Sequence, residues 1–325
     1  MTNFNNQKII LSLYFTLIFI FVFFTILPAQ DTITVFTHQQ KLVVTDPSKG
    51  VNPYPGWGVF PDNTTPVRQI TMYVHFSCPN TDGMRCADWD YSDHILLKRT
   101  GGVNGQNKNW ELGRIITPYG GFYNADWQFT WQTDVTDFAR VLRDSVEVVF
   151  NHSGYEPNND RGWIVSIEFE IITGIPVAQP VSITEIYHAA FPYGEKDKPI
   201  RDSLQPVSFQ IAENTDHAVL RVIQTGHGMD SPDNCAEFCD KYREIWLDGQ
   251  LFNKKQMWMK CGDNPVYPQA GTWIFDRANW CPGHLMQPES YLLPVKSGQN
   301  HTLHFTMEDY QSTVSNNSHQ VIIAY

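Results

Sequence analysis

Long apolar runs are nearly missing from this 325-residue chain: beyond Leu27 no segment is long and apolar enough to cross a bilayer as a helix. Charge is sparse as well. Charged residues make up 18% of the chain against 14% aromatics, a balance that excludes a disordered polypeptide. The net charge is −11 with Asp and Glu dispersed, which argues against a nucleic-acid or anionic-membrane partner. Tandem repeats and low-complexity tracts are lacking. No C-x-x-C knuckle occurs, and no cluster of histidine and methionine offers a copper ligand set.

At the amino terminus, Lys8 precedes an uncharged apolar run from Ile9 to Ile26 that ends at Leu27-Pro28-Ala29-Gln30-Asp31. This layout predicts a signal peptide over residues 1–30. The run is long for that purpose, so an uncleaved single-span anchor is the alternative. Both place the remainder outside the cytoplasm, secreted or periplasmic, soluble or tethered at one end. The six cysteines fall into three local couples, Cys78 with Cys86, Cys235 with Cys239 and Cys261 with Cys281, and local disulfides are the simplest assignment. Loops this short constrain the unfolded chain by only about 2–3 kcal/mol each, so their larger effect is to hold neighbouring loops rigid. A zinc site built from Cys235, Cys239, Cys261 and Cys281 is the competing reading.

Twenty Pro and 21 Gly punctuate short β-branched and aromatic segments, the pattern of an all-β protein with many turns. Strands are predicted near Thr32–Phe36, Gln69–Phe76, His94–Lys98, Leu112–Ile116, Ser145–Phe150 and Ile164–Ile172. A break follows at Thr173-Gly174-Ile175-Pro176, then strands near Val181–Tyr187, Ala218–Gln224, Glu244–Leu247, Leu303–Met307 and Gln320–Tyr325. Two β-sandwich domains follow, residues 31–176 and 177–325. One short helix is expected at Asp137–Leu142, capped by Thr136.

Two acidic motifs carry chemistry. In Cys235-Ala236-Glu237-Phe238-Cys239 a glutamate sits inside a five-residue loop that a disulfide would close. In Cys86-Ala87-Asp88-Trp89-Asp90-Tyr91-Ser92-Asp93, an extended chain would put Asp88, Asp90 and Ser92 on one face and Trp89 and Tyr91 on the other. Acids beside large aromatics suit carbohydrate chemistry: sugar faces stack on the rings, and partial desolvation raises a carboxyl pKa toward the operating pH. Taken alone, the second motif reads first as an acidic turn with a solvated face.

These two motifs, with Glu111-Leu112-Gly113-Arg114-Ile115-Ile116-Thr117-Pro118-Tyr119, Asp134-Val135-Thr136-Asp137-Phe138 and Asp276-Arg277-Ala278-Asn279-Trp280-Cys281-Pro282-Gly283, resemble in order the signature segments of the bacterial peptide-N-glycosidase F family. The resemblance is collinear over nearly all of the chain beyond the leader and includes all three cysteine couples. It implies two antiparallel jelly rolls packed side by side, with the active site at their interface. It also implies an amidase that cleaves between asparagine and the innermost N-acetylglucosamine of N-glycosylated proteins or glycopeptides. No metal or cofactor is implied, and a monomer is expected.

By the same resemblance, Asp90 matches the principal catalytic carboxylate, handling the proton at the scissile amide. Glu237 matches a second essential acid that holds the attacking water. Arg277 matches an arginine able to fix a carboxylate or a sugar substituent through its planar fork. Trp89 and Trp280 match aromatics beside the catalytic groups, with interface core as the other reading of both. The chain departs from the pattern at His152, which stands where a third acid is expected, at Tyr91 in place of an arginine, and around His227, where a tryptophan is missing. His152 is expected to line the region beside the innermost sugar and admit a core substituent such as fucose, with Glu156 or Asp160 as the alternative source of the missing acid. His227, between Gly226 and Gly228, is a site candidate because glycines there let backbone approach a ligand closely. Two other classes stay open: a glycan-binding or adhesion module on the same fold, and a copper monooxygenase, because the tandem jelly-roll layout resembles peptide-amidating enzymes.

Overall fold

The computed structural model describes residues 31–48, 50–80, 83–99, 108–228, 234–312 and 318–325. The predicted signal peptide or anchor lies outside them. The first part of the chain carries β1 (Thr32–Val44), β2 (Val51–Phe60), β3 (Val67–Ser77), β4 (Arg85–Cys86), β5 (Ser92–Arg99), β6 (Lys108–Ile116), β7 (Gln128–Asp134), β8 (Asp144–Ser153) and β9 (Arg161–Thr173). The second carries β10 (Tyr187–Pro192), β11 (Val207–Gln210), β12 (Ala218–His227), β13 (Lys241–Leu247), β14 (Gln250–Met257), β15 (His284–Leu285), β16 (Glu289–Leu293), β17 (Asn300–Met307) and β18 (His319–Ala324).

These strands form four sheets, antiparallel except where β4 runs parallel to β9, and the chain is an all-β double sandwich. One sandwich stacks the order β1-β9-β3-β7, with β4 beside β9, on β15-β6-β5-β8-β2. The other stacks β10-β18-β12-β16 on β11-β17-β13-β14. The pleat explains the layering. In β3, Ile70, Met72, Val74 and Phe76 point inward, while Thr71, Tyr73 and His75 alternate with them on the outer side. In the first core Phe76 meets Trp131 and Phe150 edge-on, with ring centroids 5.3 and 5.9 Å away.

The two sandwiches are joined by a small apolar cluster of Ile116, Ile223, Trp280, Met286 and Ile323. Polar contacts flank it: Arg221 Nη2 donates to the Asp134 carbonyl at 3.1 Å, and Tyr325 Oη accepts from the Glu111 N–H at 2.8 Å. β15 crosses over to pair with β6, so the segment before it is carried onto the first sandwich.

Three expectations require correction. The helix predicted at Asp137–Leu142 is a single 3₁₀ turn, Thr136–Phe138, and Thr136 does not cap it, because its Oγ1 accepts the Ile70 N–H at 2.9 Å. The predicted strand Val181–Tyr187 is irregular chain; the strand begins at Tyr187 and runs to Pro192. β2 escaped the sequence reading because Pro53 and Pro55 argue against a central strand. It lies at the sheet edge, where those missing N–H donors cost nothing.

Candidate active site

Asp90 lies in the irregular turn between β4 and β5, not in an extended strand, so the alternation predicted for Asp88–Ser92 starts only at Ser92. The turn is pinned from behind. Thr117 Oγ1 donates to the Trp89 carbonyl at 2.7 Å and accepts the Tyr91 N–H at 2.8 Å, and the Thr117 N–H returns to the Tyr91 carbonyl at 2.8 Å. Tyr119 Oη donates to Asp90 Oδ2 at 2.8 Å. Trp89 leans edge-on over the Tyr119 ring at 5.6 Å and is 54% exposed, leaving much of its surface at the rim.

Glu237 comes from the other sandwich. The Cys235–Cys239 disulfide closes a one-turn helix, Cys235–Phe238, entered through the left-handed Asn234. Backbone bonds fasten this turn on two sides: the Ala278 N–H donates to the Glu237 carbonyl at 2.7 Å, and Gln320 Nε2 to the Ala236 carbonyl at 3.2 Å. A Cβ on Gly226 would overlap the Ala236 carbonyl oxygen and the Gln320 amide. That glycine therefore serves the close approach of β12 to the disulfide loop rather than to a ligand.

Arg277 joins the halves. Its Nε reaches Glu237 Oε1 at 3.3 Å and its Nη2 lies 3.8 Å from Asp90 Oδ2. The guanidinium is 1% exposed, stacked between Phe238 and Trp280 with each ring centroid 5.0 Å from its central carbon, and anchored by Nη1 on the Phe275 carbonyl at 2.6 Å and Nη2 on Thr272 Oγ1 at 3.1 Å. Burial dominates the electrostatics of both acids. It pushes Asp90 up to about 6, against the Tyr119 hydrogen bond and the Arg277 charge. Burial, then the neighbouring Asp90 charge, push Glu237 up to about 7, against Arg277 and the Gly228 N–H. The site thus holds two carboxyl groups that exchange protons near neutrality around one buried cation, an arrangement able to take a proton from water and return it to a leaving nitrogen.

The family model described as "Peptide-N-glycosidase F, C terminal" matches residues 196–325. The peptide-N(4)-(N-acetyl-beta-D-glucosaminyl)asparagine amidase F of Elizabethkingia miricola is 28% identical over 251 residues, covering 70% of this chain and 64% of that protein. The chain is similar to the peptide-N-glycosidase F family. The solved PNGase F of Flavobacterium meningosepticum superposes with a TM-score of 0.75 at 24% identity, over 90% of this chain and 94% of that one. The structure of PNGF-II superposes with a TM-score of 0.65 at 16% identity, over 90% of this chain and 65% of that one. The alignment thus spans less than two thirds of the curated relative's own length.

Within this double-sandwich framework, Asp90, Glu237, Arg277 and Trp89 converge, whereas other expected sugar contacts lie elsewhere. His152 is wholly covered: Nδ1 faces the Asp93 carboxylate at 2.9 Å and Nε2 bonds Thr45 Oγ1 at 2.8 Å. Burial also raises Asp93, with His152 opposing. A direct sugar contact by His152 is therefore not made. Tyr91 sits edge-on to that ring at 5.8 Å and packs on the first core. Trp280 is 2% exposed and belongs to the interface cluster; it floors Arg277 and donates Nε1 to the Gly226 carbonyl at 2.6 Å. His227 stacks on Trp280 at 5.0 Å and bonds Thr225 Oγ1 at 2.7 Å, and burial holds its pKa well below the ordinary value, so it stays neutral. All six cysteines are in disulfides, Cys78–Cys86, Cys235–Cys239 and Cys261–Cys281, which removes the four-thiolate zinc reading. Glu156 stands at the Asp90 turn, accepting the Asp88 N–H at 2.9 Å. Sequence reasoning missed Tyr119 and Thr272 as site residues. Tyr119 closed one of the family-like segments, a signal available but unused; Thr272 carried none.

Proposed function

We propose that this chain is a peptide-N-glycosidase that hydrolyses the amide between asparagine and the innermost N-acetylglucosamine of an N-glycan. The observation that carries the reading is the buried Arg277 engaging both raised carboxyl groups, one from each sandwich. In this reaction a water held by Glu237 adds its oxygen to the side-chain amide carbon. Asp90 handles the proton lost by that water, the carbon–nitrogen bond breaks, and the departing nitrogen takes up the proton. The products are aspartate in the peptide and a glycosylamine, which then loses ammonia. Tyr119 orients Asp90 through its hydrogen bond, and Arg277 fixes the spacing of the two acids.

Trp89 and the carboxylates of Asp88 and Glu156 form the sugar side, and Glu156 supplies the third acid in place of His152. Tolerance of a core substituent such as fucose belongs to the same proposal, with His152 serving it through the Tyr91 ring that it supports. The proposal includes a two-domain division at Pro176, a monomer, and export through the amino-terminal segment. Export is supported by the three disulfides, which need an oxidising compartment.

Mass spectrometry of a defined glycopeptide tests the reaction. The expected outcome is an asparagine-to-aspartate mass change with free glycan; cleavage between the two core sugars, or unchanged glycopeptide, refutes it. Asp90→Asn is expected to lower release by about 10²–10⁴-fold with the fold intact, the scale of a lost general acid–base group. Binding without any mass change would favour the glycan-binding module instead.

A further inference from the structure

Four large apolar side chains stand on two loops that meet at Tyr119, the hydrogen-bond partner of Asp90, and have no role in the chemistry above. Phe122, Tyr267, Ile274 and Phe275 are between 55% and 77% exposed. Scattered exposed hydrophobics are ordinary on a protein surface, but these come from two loops that abut at the catalytic residues. The turn Gly120–Phe122 directly follows Tyr119, and the Ala270 N–H donates to the Tyr119 carbonyl at 3.1 Å. A Cβ on Gly121 would stand 3.4 Å from the Ala270 Cβ, and the left-handed Gly271 lies against the Tyr119 ring. Phe275 offers its carbonyl to Arg277 while its own ring faces outward.

The rim is also preformed. The Cys261–Cys281 disulfide encloses the second loop, and Gln269 ties it down from inside, accepting the Tyr119 N–H at 3.0 Å and donating to the Val266 and Pro282 carbonyls at 2.7 and 2.9 Å. Holding such side chains in water on a rigid loop favours any ligand able to cover them, because little ordering cost remains at binding. Ile274 offers a sugar neither a hydrogen-bonding group nor a ring to stack on, whereas together with its aromatic neighbours it can cover the apolar side chains of a peptide. Hydrogen-bonding groups come from the neighbouring Asp90 turn, where Arg161 Nε donates to Asp88 Oδ2 at 3.0 Å and Glu156 accepts the Asp88 N–H; the Asp88 carboxylate borders the rim, its Oδ1 3.1 Å from where a Gly121 Cβ would stand.

We infer that Phe122, Tyr267, Ile274 and Phe275 form a subsite for the polypeptide flanking the glycosylated asparagine, and that it selects apolar neighbours of the kind folded glycoproteins keep covered. The inference rests on the peptide-N-glycosidase reading. Two glycopeptides with the same glycan, one with leucine and phenylalanine and one with serine and glycine beside the asparagine, separate the possibilities. The full chain is expected to favour the apolar-flanked substrate by about tenfold in kcat/KM, carried mainly by KM, the effect of covering one or two apolar side chains. Combined Tyr267→Ser and Phe275→Ser should bring that ratio close to one, and Phe122→Ser alone should lower it, with thermal melting reporting that each variant folds. A wild-type ratio of one, or a ratio the variants leave unchanged, overturns the subsite. Fluorescence anisotropy of the same pair on Asp90→Asn protein gives a readout without turnover. Tighter binding of the apolar-flanked peptide with no release by the wild type would sink the glycosidase reading and leave the apolar subsite standing. Release without discrimination, and equal binding, would sink the subsite alone.

Discussion

Glu237 and Asp90 are partly buried acids whose ionisation is coupled to folding. Glu237 rises from 4.5 to about 7 and Asp90 from 3.8 to about 6, so the folded chain binds their protons more tightly than the unfolded chain does. Such groups contribute stability that is fully present below the unfolded pKa and is lost as pH rises through the folded one. Unfolding free energy, read by urea titration, is therefore expected to fall as pH rises through the interval from 4.5 to about 7. Glu237→Gln removes the buried charge and should flatten that slope, leaving the variant roughly 1–3 kcal/mol more stable than wild type at about pH 8. A steeper slope in the variant would mean that Glu237 is held ionised by Arg277. The two acids themselves were legible in the sequence because cysteines and tryptophans frame them. Tyr119 was signalled only by closing a family-like segment, and Thr272 not at all, since only the approach of the 270–275 loop to Tyr119 and Arg277 gives it partners.

At the scale of elements, the Cys235–Phe238 turn is held by hydrogen bonds from residue 278 and from Gln320 of β18 and lies against Gly226 of β12, so its position depends on what β12 can tolerate. Gly226→Ala would press a methyl group against the Ala236 carbonyl and displace the turn. The expected result is a loss of about 1–3 kcal/mol in stability, and of more than tenfold in release rate, because a shift of about 1 Å misplaces Glu237. Unchanged kinetics in a folded variant would show that the turn is adaptable. The alternation of apolar residues made β3, β5, β9, β12 and β17 legible, since each buries one face or both. β2 was not legible because Pro53, Pro55, Gly56 and Gly58 interrupt it. Pairing with β8 along one side defines it, and only the assembled sheet supplies that. Val181–Ile186 failed in the opposite sense: its β-branched residues suggested a strand, but among the described residues the only backbone hydrogen bond joining it to a neighbouring strand runs from the Ile186 N–H to the Ala324 carbonyl.

At the scale of the whole molecule, the seam between the sandwiches doubles as the floor of the site. Trp280 lies in the interface cluster and under Arg277 at once. Trp280→Ala is expected to cost about 3–5 kcal/mol in urea unfolding and to lose release together with stability. A folded variant with normal turnover would separate the seam from the chemistry. The two-sandwich layout followed from strand spacing and the proline-rich break, whereas the residues bridging the seam, such as Arg221 and Tyr325, had no sequence signal because their partners lie far along the chain. The guanidinium of Arg277 at that seam has a further consequence for the direction of the proposed reaction. The substrate arrives as an uncharged amide and leaves as a carboxylate, formed beside two other acids whose shared counter-charge, Arg277, is already engaged by both. The newly made anion meets repulsion that the reactant never felt, so the site discards its peptide product and resists running the amide bond backward.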